Sequence, residues 1–318
     1  MSREMDPLER YYGSMLGLAV GDAMGAAVEG LAPGMFPQVS SFCAGGINKI
    51  EAGEWTDDTS LAMCLAESLV AKNGFNAPDA MDRFRQWWRA GYWSSRETAF
   101  GIGQTTQAAI EYYEAEGAPF AGLSTETSST NGSIMRLAPV PLYYAESPKE
   151  ALEFSGESSR LTHATRLCID ACRLLGALIV GAVRGVEKEA LLQPGYAPVR
   201  GVWLCQPLTG EIEEIARGSY WEKAPPAIRG RGDVVSSLEA ALWAFASTDN
   251  YADGVLAAVN LGEDADTTAA VYGQLAGAYY GISGIPDTWR EMIVYQKKII
   301  RLAERLYTAS RELAGKGD

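Results

Sequence analysis

Two short acidic clusters carry the clearest chemistry in this chain. The first reads WTDDTS and supplies Thr56, Asp57 and Asp58; the second reads GEDADTTAA and supplies Asp264, Asp266 and Thr267. Each is a pair of carboxylates beside a hydroxyl, ahead of an apolar, Ala-rich run. Four carboxylates and two hydroxyls brought to one point make an all-oxygen cage for hard divalent cations. Without a cation, like charges that close drive one another toward protonation. Four negative charges balance two divalent ions, so the pattern predicts a two-metal hydrolytic centre. The ordinary use of Asp and Thr at helix starts is capping of free N–H groups at the positive end of the dipole. One helix start needs one capping side chain, whereas each cluster offers three adjacent oxygen donors, and the pair together favours the metal site.

Other polar residues stand out against their surroundings. Asp22, in GLAVGDAMGAAVEG, has apolar neighbours, where a carboxylate needs a partner; it is expected to be a buried acceptor that fixes a loop. Glu29 ends that segment just before the loop LAPGMFPQ, a position suited to a mobile general base, with a solvated surface charge as the alternative. The run Ser128, Ser129, Thr130, Asn131, Gly132, Ser133 is expected to open a helix at IMRLAP. Its hydroxyls, amide and free helix N–H groups suit an anion such as phosphate, although it lacks the lysine and spacing of a P-loop, and a plain N-cap loop explains it too. His163, the chain's single histidine, follows a Thr at a helix mouth, a loop-edge position open to ligand contact or to a structural role. Cys168 and Cys172 lie four apart within the apolar LCIDACRLLGALIVGAV and read as core rather than zinc ligands. Trp87, Trp88 and Trp93 likewise read as core. The Gly-x-x-x-Gly spacing in GLAVGDAMG has no strand before it, so it predicts close helix packing rather than a dinucleotide fingerprint.

The elements that must position these groups are mainly helical. Helical periodicity is read over Tyr11–Glu29, from Asp57 through AESLVAK, from Pro78 to a stop at Gly91, to a stop at Gly117, and through PKEALEFSGESSRLTH and ATRLCIDACRLLGALIVGAVRG. It resumes in DVVSSLEAALWAFASTD, YADGVLAAVNLG, ADTTAAVYGQLAGAYYG and PDTWREMIVYQKKIIRLAERLYTASREL. Residues 193–232, with Pro194, Pro198, Pro207, Pro225 and Pro226, are irregular and are expected to form an insertion or a lid, with GVWLCQP as a candidate strand. The expectation is one all-α domain spanning 1–318, in which the two acidic helices, about 200 residues apart, pack as neighbours. The 318 residues are 47% hydrophobic and carry a formal net charge of -13, which excludes a general nucleic-acid surface. The most apolar stretch, Leu174–Val183, is too short to span a membrane and is bounded by Arg173 and Arg184. The first residues do not read as a signal peptide, and five cysteines without a scaffold pattern suit a reducing compartment, so a cytoplasmic location is expected.

At this point the chain resembles the ADP-ribosylglycohydrolase family, which includes dinitrogenase-reductase-activating glycohydrolases and ADP-ribosyl-acceptor hydrolases. The stations of the resemblance are GLAVGDAMGAAVE, WTDDTS, GYWSSRETAFGIGQTT, TNGSIMRLAPVPL, THATRLCIDA and LGEDADTTAAVYGQLAGAYYG, over nearly the whole chain. It implies an all-α domain with two magnesium or manganese ions, one on Thr56, Asp57 and Asp58 and the other on Asp264, Asp266 and Thr267, with Asp266 bridging. Glu29, on a flexible flap, would join Asp57 and Asp266 as catalytic residues. Ser128, Ser129, Asn131, Gly132 and Ser133 fall where relatives hold the diphosphate, and His163 where they contact the ligand further out. The implied reaction is hydrolysis of the C1″ glycosidic bond between ADP-ribose and an ADP-ribosylated protein or other acceptor, releasing ADP-ribose. The metals would align the ribose hydroxyls, and a water activated by them or by Glu29 would attack. Gly101 stands where arginine-acting relatives often carry an acidic residue, and Asp233 where an aromatic is common in bacterial ones, so both bear on acceptor choice. The alternatives are a non-catalytic ADP-ribose binder or structural relative, as in the family's lens crystallins, and a phosphodiesterase built on the same cage.

Overall fold

Gly13, Gly17, Gly21 and Gly25 recur at every fourth position of the first helix, α1 (Pro7–Gly25). This stripe faces a second buried helix, α13 (Ala265–Tyr280). A Cβ on Gly13 would lie 2.1 Å from the carbonyl oxygen of Gly277, one on Gly17 2.4 Å from that of Gly273, and one on Gly21 2.1 Å from that of Ala269. A Cβ on Gly25 would lie 2.4 Å from the Asp266 Cα. The pairing runs antiparallel, and backbone meets backbone along its whole length. It is the close packing expected from the glycine spacing, and it delivers the start of α13 to the end of α1.

The computed structural model describes residues 5–315. After α1 come α2 (Asp57–Lys72), α3 (Ala77–Ala90), α4 (Gln104–Glu116), α5 (Pro139–Tyr143), α6 (Pro148–Ser159) and α7 (Arg166–Val183). The short α8 (Lys188–Leu191), α9 (Val202–Cys205) and α10 (Gly210–Ala216) lead to α11 (Val234–Ala246) and α12 (Tyr251–Val259). After α13 the chain closes with α14 (Asp287–Met292) and α15 (Gln296–Ala314). Local sequence sets many of these limits. Asn76 caps α3 by accepting the Asp79 N–H, and Gly91 ends it in the left-handed region at φ 67°. Thr165 caps α7, and Asp233 caps α11 by accepting from Ser236 N at 2.8 Å. Among the described residues, β pairing is confined to isolated bridges, so the fold is all-α. No helix among them is long and apolar enough to cross a membrane. The main hydrophobic core runs from Tyr11 to Leu306 and holds Trp87, Cys168 and Cys172, whereas Trp88 and Trp93 are only half-buried against it.

The structure departs from the sequence reading in four places. Helix α1 runs from Pro7 to Gly25, and Glu29 lies beyond its end in a turn. The segment after Ser133 forms turns, and helix starts only at Pro139, where the ring's missing N–H falls at an end that leaves it unused. GVWLCQP is a single helical turn rather than a strand; it has no partner strand with which to satisfy its backbone. The last helix is two. It breaks at Ile293–Tyr295, where Val294 N donates to Gly53 O at 3.1 Å and Trp55 Nε1 donates to Val294 O at 3.0 Å. That break anchors the loop leading into the first acidic motif. Residues 193–232 hold the short α9 and α10 and a 3-10 turn at Ser219–Glu222, joined by loops. The segment is tied to α7, where Asp170 accepts from Thr209 N and Arg173 donates to Gln206 O, and to α11, where Ser219 and Lys223 donate to Glu239. Its last residues reach the acidic cavity and the opening beside it.

Candidate metal centre and ligand cavity

Asp22, on the buried face of α1, accepts hydrogen bonds from Thr56 N at 2.9 Å, Thr59 N at 3.0 Å and Thr59 Oγ1 at 2.6 Å. Thr56 Oγ1 lies 3.0 Å from Asp22 Oδ1 and 3.1 Å from Asp58 Oδ2. The carboxylate thus gathers the first turn of α2, the loop-fixing role expected of it. Through the glycine stripe α1 also fixes the start of α13. Two sequence-distant acidic motifs therefore meet because both are anchored to one helix. Single oxygens of Asp22, Asp58 and Asp266 all lie within 4.8 Å of one another.

Capping does not account for these clusters. Neither Thr56, ahead of α2, nor Asp264, ahead of α13, makes a side-chain capping bond. Both helix starts border the same cavity of about 330 Å³, so two positive dipole ends face it. Glu29, Asp57, Asp58, Asp264, Asp266 and Thr267 line its acidic part, and Thr56 lies just behind, almost fully buried. Burial, then neighbouring carboxylates, pushes Asp57, Asp58 and Asp266 well above the ordinary carboxyl range. Glu29, half-buried, is pushed up to about 7 by burial and by Asp264 and Asp22. Two like charges 4 Å apart cost about 4 kcal/mol at an effective dielectric of 20, so the cluster cannot be fully ionised without counter-charge. Asp58 Oδ1 is buried with no hydrogen-bond partner. Hard oxygen donors, mutual repulsion and an orphaned carboxylate oxygen together fit a bound divalent cation.

Glu29 is held more firmly than a free flap would be. Its Oε2 accepts from Asn48 Nδ2 at 2.9 Å, while Gly30 N and Glu263 O meet at 2.7 Å, as do Glu263 N and Leu31 O. The turn is thereby tied to the residues just ahead of Asp264.

The opposite side of the cavity is rich in hydroxyls. Thr130, Asn131 and Gly132 line it, and Asn131 Nδ2 donates to Asp264 Oδ2 at 2.8 Å. The hydroxyls of Ser128, Ser129 and Ser133 instead engage Thr125, Thr165 and Ser159 within the protein. His163, in the connection between α6 and α7, borders the cavity but is 1% exposed. Its Nε2 lies 2.8 Å from Thr130 Oγ1 and its Nδ1 2.7 Å from Thr162 Oγ1. Burial pushes the imidazole down to about 3, so it is neutral. A Cβ on Gly132 would lie 2.7 Å from the ring Cε1. Gln104, Thr105, Thr106, Thr127 and Met135 also line it, with Gly101, Gly103 and Gly232 contributing backbone. The five side chains were not singled out from the sequence, although GIGQTT held three of them. Gly101 packs against the metal cluster: at φ 82°, a Cβ there would lie 2.9 Å from Asp57 Oδ1.

Comparison with known proteins agrees with this architecture. A family model described as ADP-ribosylglycohydrolase matches residues 3–315. The ADP-ribosylarginine hydrolase Tri1 of Serratia proteamaculans (strain 568) is 36% identical over 97% of this chain and 82% of its own. The ADP-ribosyl-[dinitrogen reductase] glycohydrolase of Rhodospirillum rubrum is 30% identical over 96% and 97%. A solved ADP-ribosylglycohydrolase-related protein complex superimposes with a TM-score of 0.84 at 41% identity, covering 96% of this chain and 99% of the other.

Proposed function

The chain belongs to the ADP-ribosylglycohydrolase family and is an ADP-ribosyl hydrolase, and we propose that it removes ADP-ribose from arginine side chains of a modified protein by a two-metal mechanism. The observation that carries the reading is the meeting of the two acidic motifs around one cavity. Arginine as acceptor is supported by the 36% identical ADP-ribosylarginine hydrolase and by the opening beside the cavity, where Glu29 and Asp264 would face a guanidinium; Glu263 there is already paired with Arg229, and Arg231 shares the lining.

Thr56, Asp57, Asp58, Asp264, Asp266 and Thr267 would hold two magnesium or manganese ions. When bound, these ions supply positive charge that aligns the ribose hydroxyls and stabilises charge developing in the transition state. Glu29, at the rim of the acidic cluster, takes a proton from the attacking water. The water oxygen bonds to C1″, the C1″–N bond breaks with oxocarbenium character, and the guanidine leaves with the bonding pair and takes up the proton that Glu29 received from the water. Asn48 and the paired backbone at Gly30 and Glu263 keep Glu29 over the cavity. Thr130, Asn131, Gly132 and His163 form the part of the cavity that would hold the diphosphate. The whole chain acts as one domain, and its five unpaired cysteines favour the cytoplasm.

The test is release of ADP-ribose from an arginine-modified protein in the presence of magnesium. Asp57→Ala combined with Asp266→Ala should abolish release while leaving the helical circular-dichroism spectrum intact. Serine-linked and nucleic-acid-linked ADP-ribose are the comparison substrates. Clearance of either in preference to the arginine linkage would overturn the acceptor assignment, and no release from any of them would overturn the enzymatic reading.

A further inference from the structure

Arg136 is 1% exposed, yet among the described residues no carboxylate forms an ion pair with it. It packs over the Phe84 ring at 4.9 Å. Its two terminal nitrogens donate to Gly132 O at 2.6 Å and to Thr162 Oγ1 at 2.7 Å. A guanidinium has donors only, so the Thr162 oxygen must accept from it. Thr162 is itself fully buried, and the acceptor available to its own proton is His163 Nδ1, 2.7 Å away. With Nδ1 accepting, the neutral ring carries its proton on Nε2 and donates it to Thr130 Oγ1 at 2.8 Å. Thr130 therefore accepts from the histidine and must send its own proton elsewhere, toward the cavity side where Thr105 Oγ1 lies 3.3 Å away. The opposite tautomer leaves the Thr162 proton buried without an acceptor, which depopulates it by about tenfold or more.

We infer that Arg136 is a positioning residue that fixes the direction of this chain through Thr162 and His163, and so presents the Thr130 hydroxyl as a donor to a phosphate oxygen of bound ADP-ribose. The ligand named here rests on the function proposed above; the direction of the chain does not. Among the described residues no Lys or Arg lines the cavity, and Arg231 borders only the opening beside it, so the side chains that meet a diphosphate within the cavity are neutral donors whose orientation decides affinity. A guanidinium one layer behind the loop supplies that orientation without competing for the metal-binding carboxylates. His163 acts on the ligand through Thr130.

The single histidine makes the test direct. In protein labelled with ¹⁵N-histidine, long-range proton–nitrogen correlation reports which ring nitrogen is protonated. The expected signature is Nε2–H in the wild type, giving way to a mixture in Thr162→Val, where Nδ1 has lost its donor. A wild-type Nδ1–H signature would overturn the proposal. In calorimetry with ADP-ribose, Thr130→Val should lose about tenfold to 100-fold in affinity, as expected for a hydrogen bond to a charged group, and Thr130→Ser should stay within about twofold. A Thr130→Val protein that binds as the wild type does would also overturn the proposal. A wild-type protein that binds no ADP-ribose refutes the ligand reading and the acceptor named here, while the tautomer still decides the direction of the chain.

Discussion

The two sides of the cavity solve opposite problems. On the acidic side, Asp57, Asp58 and Asp266 are buried among one another, their carboxyls are displaced upward, and one Asp58 oxygen has no partner. On the hydroxyl side, Arg136, Thr162, His163 and Thr130 form a chain in which each buried polar group meets another. One side depends on something it binds, and the other is complete within the protein. A site that takes up cations needs unbalanced charge held rigidly apart from solvent. A site that orients a phosphate needs donors already aimed before the ligand arrives. The contrast shows where ligand energy and folding energy come from, and each side can be perturbed separately.

Asp266→Asn should give the largest effect. It removes one charge from the acidic cluster at nearly constant shape, and activity should fall about 10³-fold, the upper end of what losing one preorganised electrostatic group costs. The same change relieves repulsion, so the metal-free variant should melt at or above the wild-type temperature. Thermal melts in chelator beside turnover assays measure both. A variant that loses activity and also melts lower without metal would mean that Asp266 is a structural carboxylate, and the contrast between the two sides would fail.

This contrast was only half legible in the sequence. The acidic residues announce themselves because paired carboxylates at two helix starts exceed what capping requires, and the glycine spacing within GLAVGDAMG signals close packing. The residues that make the hydroxyl side work carry no such signal. Arg136 lies in an apolar stretch and reads as an ordinary charge, and Thr162 is one hydroxyl among many. Their meaning arises from contacts between α6, α7 and the loop at 130–136, and a one-dimensional pattern does not record such contacts. His163 was noticed for its rarity, but its burial depended on the same tertiary contacts. The irregular stretch 132–138 was misread as a helix start because its hydroxyls suit a cap, while Pro139 delays the helix by several residues.

pH gives the second test. Asp57, Asp58, Asp266 and Glu29 have folded-state pKa values raised above their unfolded values, so the folded protein binds more protons than the unfolded chain between the two. Their contribution to stability is fully present below about pH 4 and is lost as pH rises through the folded values, which for Glu29 means about 7. Metal-free protein should therefore melt lower at pH 8 than at pH 5, by roughly 5 °C or more. Saturating magnesium should reverse the trend, because cation binding is stronger once the carboxylates are ionised. The hydroxyl side opposes this slope below about pH 6.5, because His163 is neutral in the fold while an unfolded imidazole takes up a proton there; with one histidine against four displaced carboxyls, the acidic side sets the net sign. Calorimetric melts with chelator and with magnesium at the two pH values read the difference directly. A slope unchanged by magnesium would place the titrating carboxylates outside the cation site.

Gly132→Ala should give the smallest effect and the most local one. The added Cβ would lie 2.7 Å from His163 Cε1 and 3.0 Å from Nε2, with Thr106 Oγ1 at 3.2 Å on the other side. The ring must therefore shift, and the Nε2–Thr130 hydrogen bond lengthens or breaks. Nothing at Gly132 touches Asp57, Asp58 or Asp266, so the acidic side should keep its cation. The expected result is a loss of about tenfold in ADP-ribose affinity, equivalent to one ordinary hydrogen bond, with magnesium binding unchanged. Calorimetric titration of each ligand against the same variant separates the two. A parallel fall in magnesium affinity would show that the two sides are mechanically coupled, through Asn131 and its bond to Asp264.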